Sequence, residues 1–169
     1  EVDNHILVIG KTIGHLFQSE FFREVLNFHE GPPPEINLFN EKNNGLSVSN
    51  LIFKGLAKSV HDISSGGILM TLSEMCISSN IGALINLPKN NMKLHEYFFG
   101  EDQSRYIIEV KEKNLEEVSK ILKDSNIHFD KIGKTQEEYM EIKNQFKISV
   151  NDIRKLHKFW FNNYFKESA

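Results

Sequence analysis

Val60-His61-Asp62-Ile63-Ser64-Ser65-Gly66-Gly67, with Ile68-Leu69-Met70-Thr71-Leu72 behind it, is the stretch whose reading decides the fold. Its β-branched start reads as a short strand that delivers a His-Asp pair to its end. Two glycines then turn the backbone, and a helix carrying Ile68, Leu69, Leu72, Met75 and Cys76 on its inner side begins at once. That order aims backbone N–H groups and the positive end of a helix dipole at whatever lies beyond the strand, as phosphate-handling sites do. A plainer reading competes: Asp62 or Ser64 caps the helix, and the glycines only make a tight turn.

Working upstream, residues 5–9 are β-branched and read as a strand ending at Gly10, with 11–15 as loop. Ser19 is a candidate N-cap for a helix carrying Phe22, Val25 and Leu26. Gly31-Pro32-Pro33-Pro34 cannot be helical and is expected to be a stiff, extended connection. Val48, Leu51, Ile52, Gly55 and Leu56 then fall at i, i+3, i+4, i+7 and i+8, which predicts an amphipathic helix.

Downstream, residues 82–87 read as a strand and 88–93 as a polar loop. Tyr106, Ile108 and Val110 alternate with Arg105, Ile107 and Glu109, a strong strand signal. Asn114 with Glu117 resembles a capping box for a helix through Lys123. Residues 127–132 and 139–142 look like two strands. Ser149 with Asp152 is a candidate cap for a last helix whose Ile153, Leu156, His157, Trp160 and Tyr164 share a face. Five or six strands interleaved with five helices predict an α/β (α+β) layered sandwich with a mixed sheet. Residues 105–142 read β-α-β-β, half of a ferredoxin-like arrangement.

Length and composition bound the rest. The chain has 169 residues, a net charge of -3 with acids and bases interspersed, and one cysteine, Cys76. Nothing in that charge pattern suggests nucleic-acid binding or an anionic membrane surface. No apolar stretch approaches the roughly 20 residues needed to span a bilayer. A lone cysteine allows no internal disulfide and fits a reducing, cytoplasmic setting. A strand begins almost immediately after Glu1, so residues 1–169 are expected to be one domain cut from a longer polypeptide.

A second cluster, Glu101-Asp102-Gln103-Ser104-Arg105, places two carboxylates, an amide and a guanidinium just before a strand. Such a group can grip a polar ligand through charge-assisted hydrogen bonds, or it can be a solvated turn with Arg105 pairing an acid. Gly10-Lys11-Thr12-Ile13-Gly14-His15 lacks the spacing of a Walker phosphate loop. The seven histidines show no close zinc-ligand spacing, and no nucleophile is placed to use His61. His157 is expected to be half-buried, and Phe159, Trp160, Phe161 and Phe165 to serve core and interface.

These segments together resemble the formylglycinamidine ribonucleotide synthase family. Residues 60–75 resemble its (A/V)-H-D-x-S-x-G-G-x(6)-E-M segment, and residues 99–106 its F-G-E-D-Q-x-R-Y segment. Gly10-Lys11-Thr12 with Ser19-Glu20 resembles the G-x-T…G-G-S-E opening of the same domain. Residues 148–165 resemble the terminal I-x-x-L-x-x-A-H-x-x-W-x-x-x-Y helix. Two departures stand out: Phe17-Gln18 replaces the two glycines before Ser19, and Leu156 replaces the alanine before His157.

The resemblance implies a fold of the aminoimidazole ribonucleotide synthetase C-terminal-domain type. It implies an ATP- and Mg²⁺-dependent ligase of purine biosynthesis that converts formylglycinamide ribonucleotide and glutamine-derived ammonia to the amidine. The synthase chain of that family is built A1-B1-A2-B2, with a glutaminase subunit and a small bridging subunit as partners, and this chain resembles B2. Catalytic histidines would lie in A1, so no catalytic residue is expected here. Asp62, Ser64, Gly66, Gly67, Glu101, Gln103 and Arg105 would line a pseudosymmetric cleft. A stand-alone nucleotide- or phosphate-binding module is an alternative, as is a domain of a sibling such as selenophosphate synthetase. The Glu101-Asp102-Gln103 segment and the Trp160 helix argue against the siblings.

Overall fold

The computed structural model describes residues 1–89 and 91–167, with no side chain described at 160–163 and 165–167. Among the described residues, seven strands form one sheet: β1 (His5–Ile9), β2 (Ala57–Asp62), β3 (Gly82–Ile85), β4 (Tyr106–Val110), β5 (Phe129–Gln136), β6 (Tyr139–Ile142) and β7 (Phe146–Ser149). Their order is β2-β4-β1-β5-β3-β6-β7. Every neighbouring pair is antiparallel except β3 with β6. The helices are α1 (Leu38–Phe53), α2 (Gly67–Ser79), α3 (Leu94–Phe99), α4 (Leu115–Asp124) and α5 (Val150–Glu167).

β1 lies inside the sheet and is buried along its whole length. Its alternation therefore feeds two cores rather than one. Ile6 and Val8 join Ile107, Ile68, Leu72, Cys76, Tyr97 and Phe98 under α2 and α3. Leu7 and Ile9 join Ile108, Val110, Val48, Leu51, Val118 and Leu122 under α1 and α4. The expected layered α/β sandwich with a mixed sheet is thus present, with helices on both faces. Burial pushes the Cys76 thiol up to about 12 and the Tyr97 phenol, helped by the charge of Asp130, to about 12 as well.

β4, α4 and β5 make the predicted β-α-β. Its two strands are parallel to one another only because β1 runs antiparallel between them. The following pair is not a hairpin: β3 is wedged between β5 and β6, pairing with both. The ferredoxin-like half is therefore split twice.

Several local expectations need correction. The helix after Ser19 is a single π-turn, Phe21–Val25, in which Ser19 Oγ accepts from Phe22 N–H at 3.2 Å while Val25 and Leu26 stay exposed. α1 starts ten residues before Val48 and ends before Gly55, whose φ of +67° terminates it with Gly55 N–H donating to Ile52 O. Ile52 consequently points outward. No capping box forms at Asn114, whose side chain instead reaches the Leu56 carbonyl at 3.5 Å. α3 and β7 form in stretches to which the sequence reading assigned no element. The Ser149 cap is present, with Asp152 N–H donating to Ser149 Oγ at 3.0 Å. On α5, however, Leu156, His157, Phe159 and Tyr164 are exposed, so His157 is not half-buried. The side chains of Trp160, Phe161 and Phe165 lie outside the described residues.

Leu72 is 2 % exposed at the centre of the α2 core. Leu72→Ala is expected to cost about 2–5 kcal/mol, read as a lower urea midpoint. Native Cys76 should stay silent toward a thiol reagent at pH 8 and react only on unfolding, a rate that measures opening of the same core.

Candidate functional site

Sheet topology brings the three singled-out segments together. β2 and β1 both run antiparallel to β4, so their C-terminal ends meet the start of β4. The turn after Asp62, the loop after Ile9 and residues 100–105 thereby share one end of the sheet. Ile63 N–H donates to Arg105 O at 2.9 Å, which continues the β2–β4 ladder into the turn.

The turn needs its glycines. Gly66 has φ +79° and Gly67 φ +66°, and Gly67 N–H closes the turn onto Ser64 O at 3.1 Å. A Cβ at Gly67 would stand 2.7 Å from the carbonyl oxygens of Phe98 and Gly100. Neither Asp62 nor Ser64 caps α2, whose N-cap residue is Gly66 with no side-chain bond.

The acidic segment turns inward. Glu101 Oε1 accepts from Gly66 N–H and from Glu20 N–H, both at 2.8 Å, tying the turn to the loop of residues 11–20. Asp102 is 3 % exposed. Its carboxylate accepts from the N–H groups of Ile13, Gly14 and His15 at 2.9, 3.0 and 3.0 Å. Arg105 is 1 % exposed. Its guanidinium donates to Asp102 O at 3.1 Å, Thr12 Oγ1 at 3.1 Å and Gly100 O at 2.6 Å, with Asp102 Oδ2 3.6 Å away. Burial lowers the Arg105 pKa, and the Asp102 charge opposes that shift.

Asp62, Ser64, Glu101, Gln103 and Arg105 line one cavity of about 290 Å³, together with Glu41 and Tyr106. Gly66 and Gly67, expected to line the cleft, are not among the residues lining this cavity. Asp62 faces solvent, with its side chain 66 % exposed and His61 Nδ1 3.4 Å from Oδ1; His61 Nε2 lies 3.3 Å from Glu74. A second cavity, about 660 Å³, opens beyond Gln103 and Ser104, between the loop of residues 11–20 and α1. A third hollow, about 480 Å³, lies under the C-terminal half of α2 and is lined by Val60 and His61 of β2 but by none of residues 62–67 or 100–105.

Sequence reasoning missed Asn44 and gave Thr12 no role beyond its place in the Gly10-Lys11-Thr12 motif. Asn44 Nδ2 donates to Ser104 O at 2.8 Å and holds the 100–105 loop to α1. An asparagine one turn before Val48 on the inward stripe of that helix was the available signal. Phe17-Gln18 also acquires a role. Gln18 adopts φ +62°, and its amide donates to His29 O and Gly31 O at 3.0 and 3.1 Å. The left-handed conformation that glycine takes freely is here held by side-chain bonds.

Comparison with known proteins fits this geometry. Residues 1–143 match the family described as AIR synthase related protein, C-terminal domain. The chain belongs to that family. Among individual proteins, it is 50 % identical over 164 residues to phosphoribosylformylglycinamidine synthase subunit PurL of Pelagibacter ubique, covering 97 % of this chain. It is 41 % identical over 159 residues to the PurL subunit of Rhodopseudomonas palustris strain HaA2, covering 94 % of this chain. It spans only 22 % of the length of each of these relatives. Thermotoga maritima PurL complexed with FGAR has the same fold, with a TM-score of 0.71 at 19 % identity, covering 90 % of this chain and 28 % of that one. The same protein complexed with ATP gives 0.67 at 18 % identity, covering 90 % and 26 %.

Two glycine variants separate conformation from contact. Gly55 and Gly67 share a positive φ, but a Cβ at Gly55 meets nothing within 4 Å. Gly55→Ala is expected to cost about 1 kcal/mol, the left-handed penalty alone. Gly67→Ala should cost more than about 2 kcal/mol, because two carbonyls must also move. Equal urea midpoints for the two variants would contradict this packing.

Proposed function

We propose that this chain is the C-terminal, B2-type domain of a phosphoribosylformylglycinamidine synthase, and that it supplies one wall of a nucleotide cleft without a complete active site. The observation that carries this reading is 50 % identity along 97 % of the chain to a PurL subunit, with its three family segments gathered at one end of the sheet. The ligase reaction, ATP plus ammonia plus formylglycinamide ribonucleotide, belongs to the whole synthase. The rest of the synthase in cis, a glutaminase subunit and a small bridging subunit are its partners, in the cytoplasm. Among the described residues no helix is long and apolar enough to cross a membrane. α1 leaves Leu38, Phe39, Leu46 and Phe53 exposed, an apolar face suited to cover by another domain.

Within the cleft, Asp62, Ser64 and Gln103 would meet the ligand, while Glu101, Arg105, Gly66 and Gly67 hold the wall in shape. Among the described residues no three His, Cys, Asp or Glu side chains converge to hold a metal alone. Mg²⁺ fits in another way, through Asp62 and the oxygens of the nucleotide itself, since it binds by one or two carboxylates plus phosphates. When bound there it neutralises phosphate charge. Asp62 is the exposed carboxylate of the turn, which suits that task.

The reading is tested by comparing the isolated 169-residue chain with the full-length synthase carrying it. Supplied with ATP, Mg²⁺, ammonia and formylglycinamide ribonucleotide, the isolated chain should release no ADP. A synthase lacking residues 1–169 should lose turnover and regain it when the chain is added in trans. Turnover by the lone chain, or an unaffected truncated synthase, would sink the assignment. In the full-length enzyme Asp62→Ala should weaken retention of Mg·ADP about tenfold or more, the loss of one charge-assisted contact.

A further inference from the structure

We propose that the loop of residues 11–20 is a preformed anion receptor whose occupant is the protein's own Asp102 carboxylate. Removing that side chain would open a site for a small free carboxylate. This inference goes beyond the nucleotide-cleft reading and stands whether or not that reading holds.

Three successive backbone donors carry it. Ile13 and Gly14 N–H point at Oδ2, and His15 N–H at Oδ1, all within 3.0 Å. Gly14 sits at φ +83°, and successive N–H groups turned to one side by such a residue make an anion-binding concavity. The hollow does not depend on the carboxylate for its walls. Glu101 N–H donates to His15 O at 2.8 Å, Thr12 is held by Arg105 at 3.1 Å, and a Cβ on Gly100 would come within 2.8 Å of Gly14 Cα.

Charge completes the argument. The Arg105 guanidinium, with no side-chain exposure, lies 3.6 Å from Asp102 Oδ2. Without the carboxylate, a buried cation and three unpaired N–H groups would face one void, a combination that strongly favours an anion. A solute has a route in, because Asp102, Ile13, Gly14 and His15 border the 660 Å³ cavity that opens beside α1. Asp102 therefore stands where a free carboxylate would stand and holds the loop in its present shape.

Chemical rescue tests this. Asp102→Ala is titrated with sodium formate at constant ionic strength, with sodium chloride as balance, while thermal unfolding is followed. The expected result is a saturable rise in the midpoint of roughly 5 °C, by mass action on the folded state. The unmodified protein should show no rise. If Asp102→Ala does not fold in chloride, formate should restore its helical circular dichroism. Asp102→Ser, which keeps one acceptor and leaves room, provides a second host for the same titration. A response to formate no greater than to chloride in both variants would overturn the proposal and leave Asp102 as an ordinary packing contact.

Discussion

The Arg105 guanidinium is withdrawn from water, so its partners must come from the protein, and that requirement fixes three loops at once. It reaches Thr12 in the loop after β1 and the carbonyls of Gly100 and Asp102 in its own loop. A buried cation without a counter-charge is costly, and a pair with poor geometry gains little over an apolar substitute. Here the counter-charge is Asp102, whose remaining lone pairs are filled by backbone donors. The ion pair is thereby embedded in a network in which each charge is also hydrogen-bonded. That condition is what allows buried charge to persist. Glu101 extends the network to Gly66, so the turn after β2 depends on the same group of side chains.

Strand order explains why this network can exist. A β2-β4-β1 arrangement with antiparallel neighbours delivers two strand ends and one strand start to a common edge. β1 is held there by burial of alternate residues on opposite faces, Ile6 and Val8 against Leu7 and Ile9. Shifting β1 by one residue would exchange its two side-chain sets between cores of different shape, so register is strongly specified. The position of Gly10, at φ +91° and within a hypothetical Cβ's 2.5 Å of the Ser104 carbonyl, follows from that register.

What the sequence made legible were segments whose periodicity is local. β4 showed itself by alternation and α2 by its glycine turn and apolar face. Strand order was not legible, because β3 wedging between β5 and β6 is a non-local choice that neither segment encodes by itself. The start of α1 was hidden for a physical reason: Leu38 and Phe39 are apolar yet exposed, so its first turns show no inward stripe. α3 is six residues long, too short for periodicity to register, and β7 is a four-residue edge strand. Asn114 and Glu117 matched a cap in letter but not in geometry, because the Asn114 amide found the Leu56 carbonyl instead. For the candidate site, the sequence singled out segments that the fold gathers at one sheet edge, but not which way each acid faces. Glu101 and Asp102 differ from Asp62 in partners, not in residue type.

That difference in facing assigns the work. A carboxylate that already accepts two or three backbone N–H groups has spent its lone pairs on the fold, and a ligand could recruit it only by breaking those bonds. Asp62 is 66 % exposed on its side chain, with the ring of His61 3.4 Å from its carboxylate. A cation reaching this edge would find Glu101 and Asp102 engaged, and Asp62 and Glu41, which line the same cavity, open to solvent. The inward acids tie the edge together, and Asp62 is left facing solvent. Because Glu101 joins the two through Gly66, a disturbance of the buried pair should be felt at the Asp62 turn.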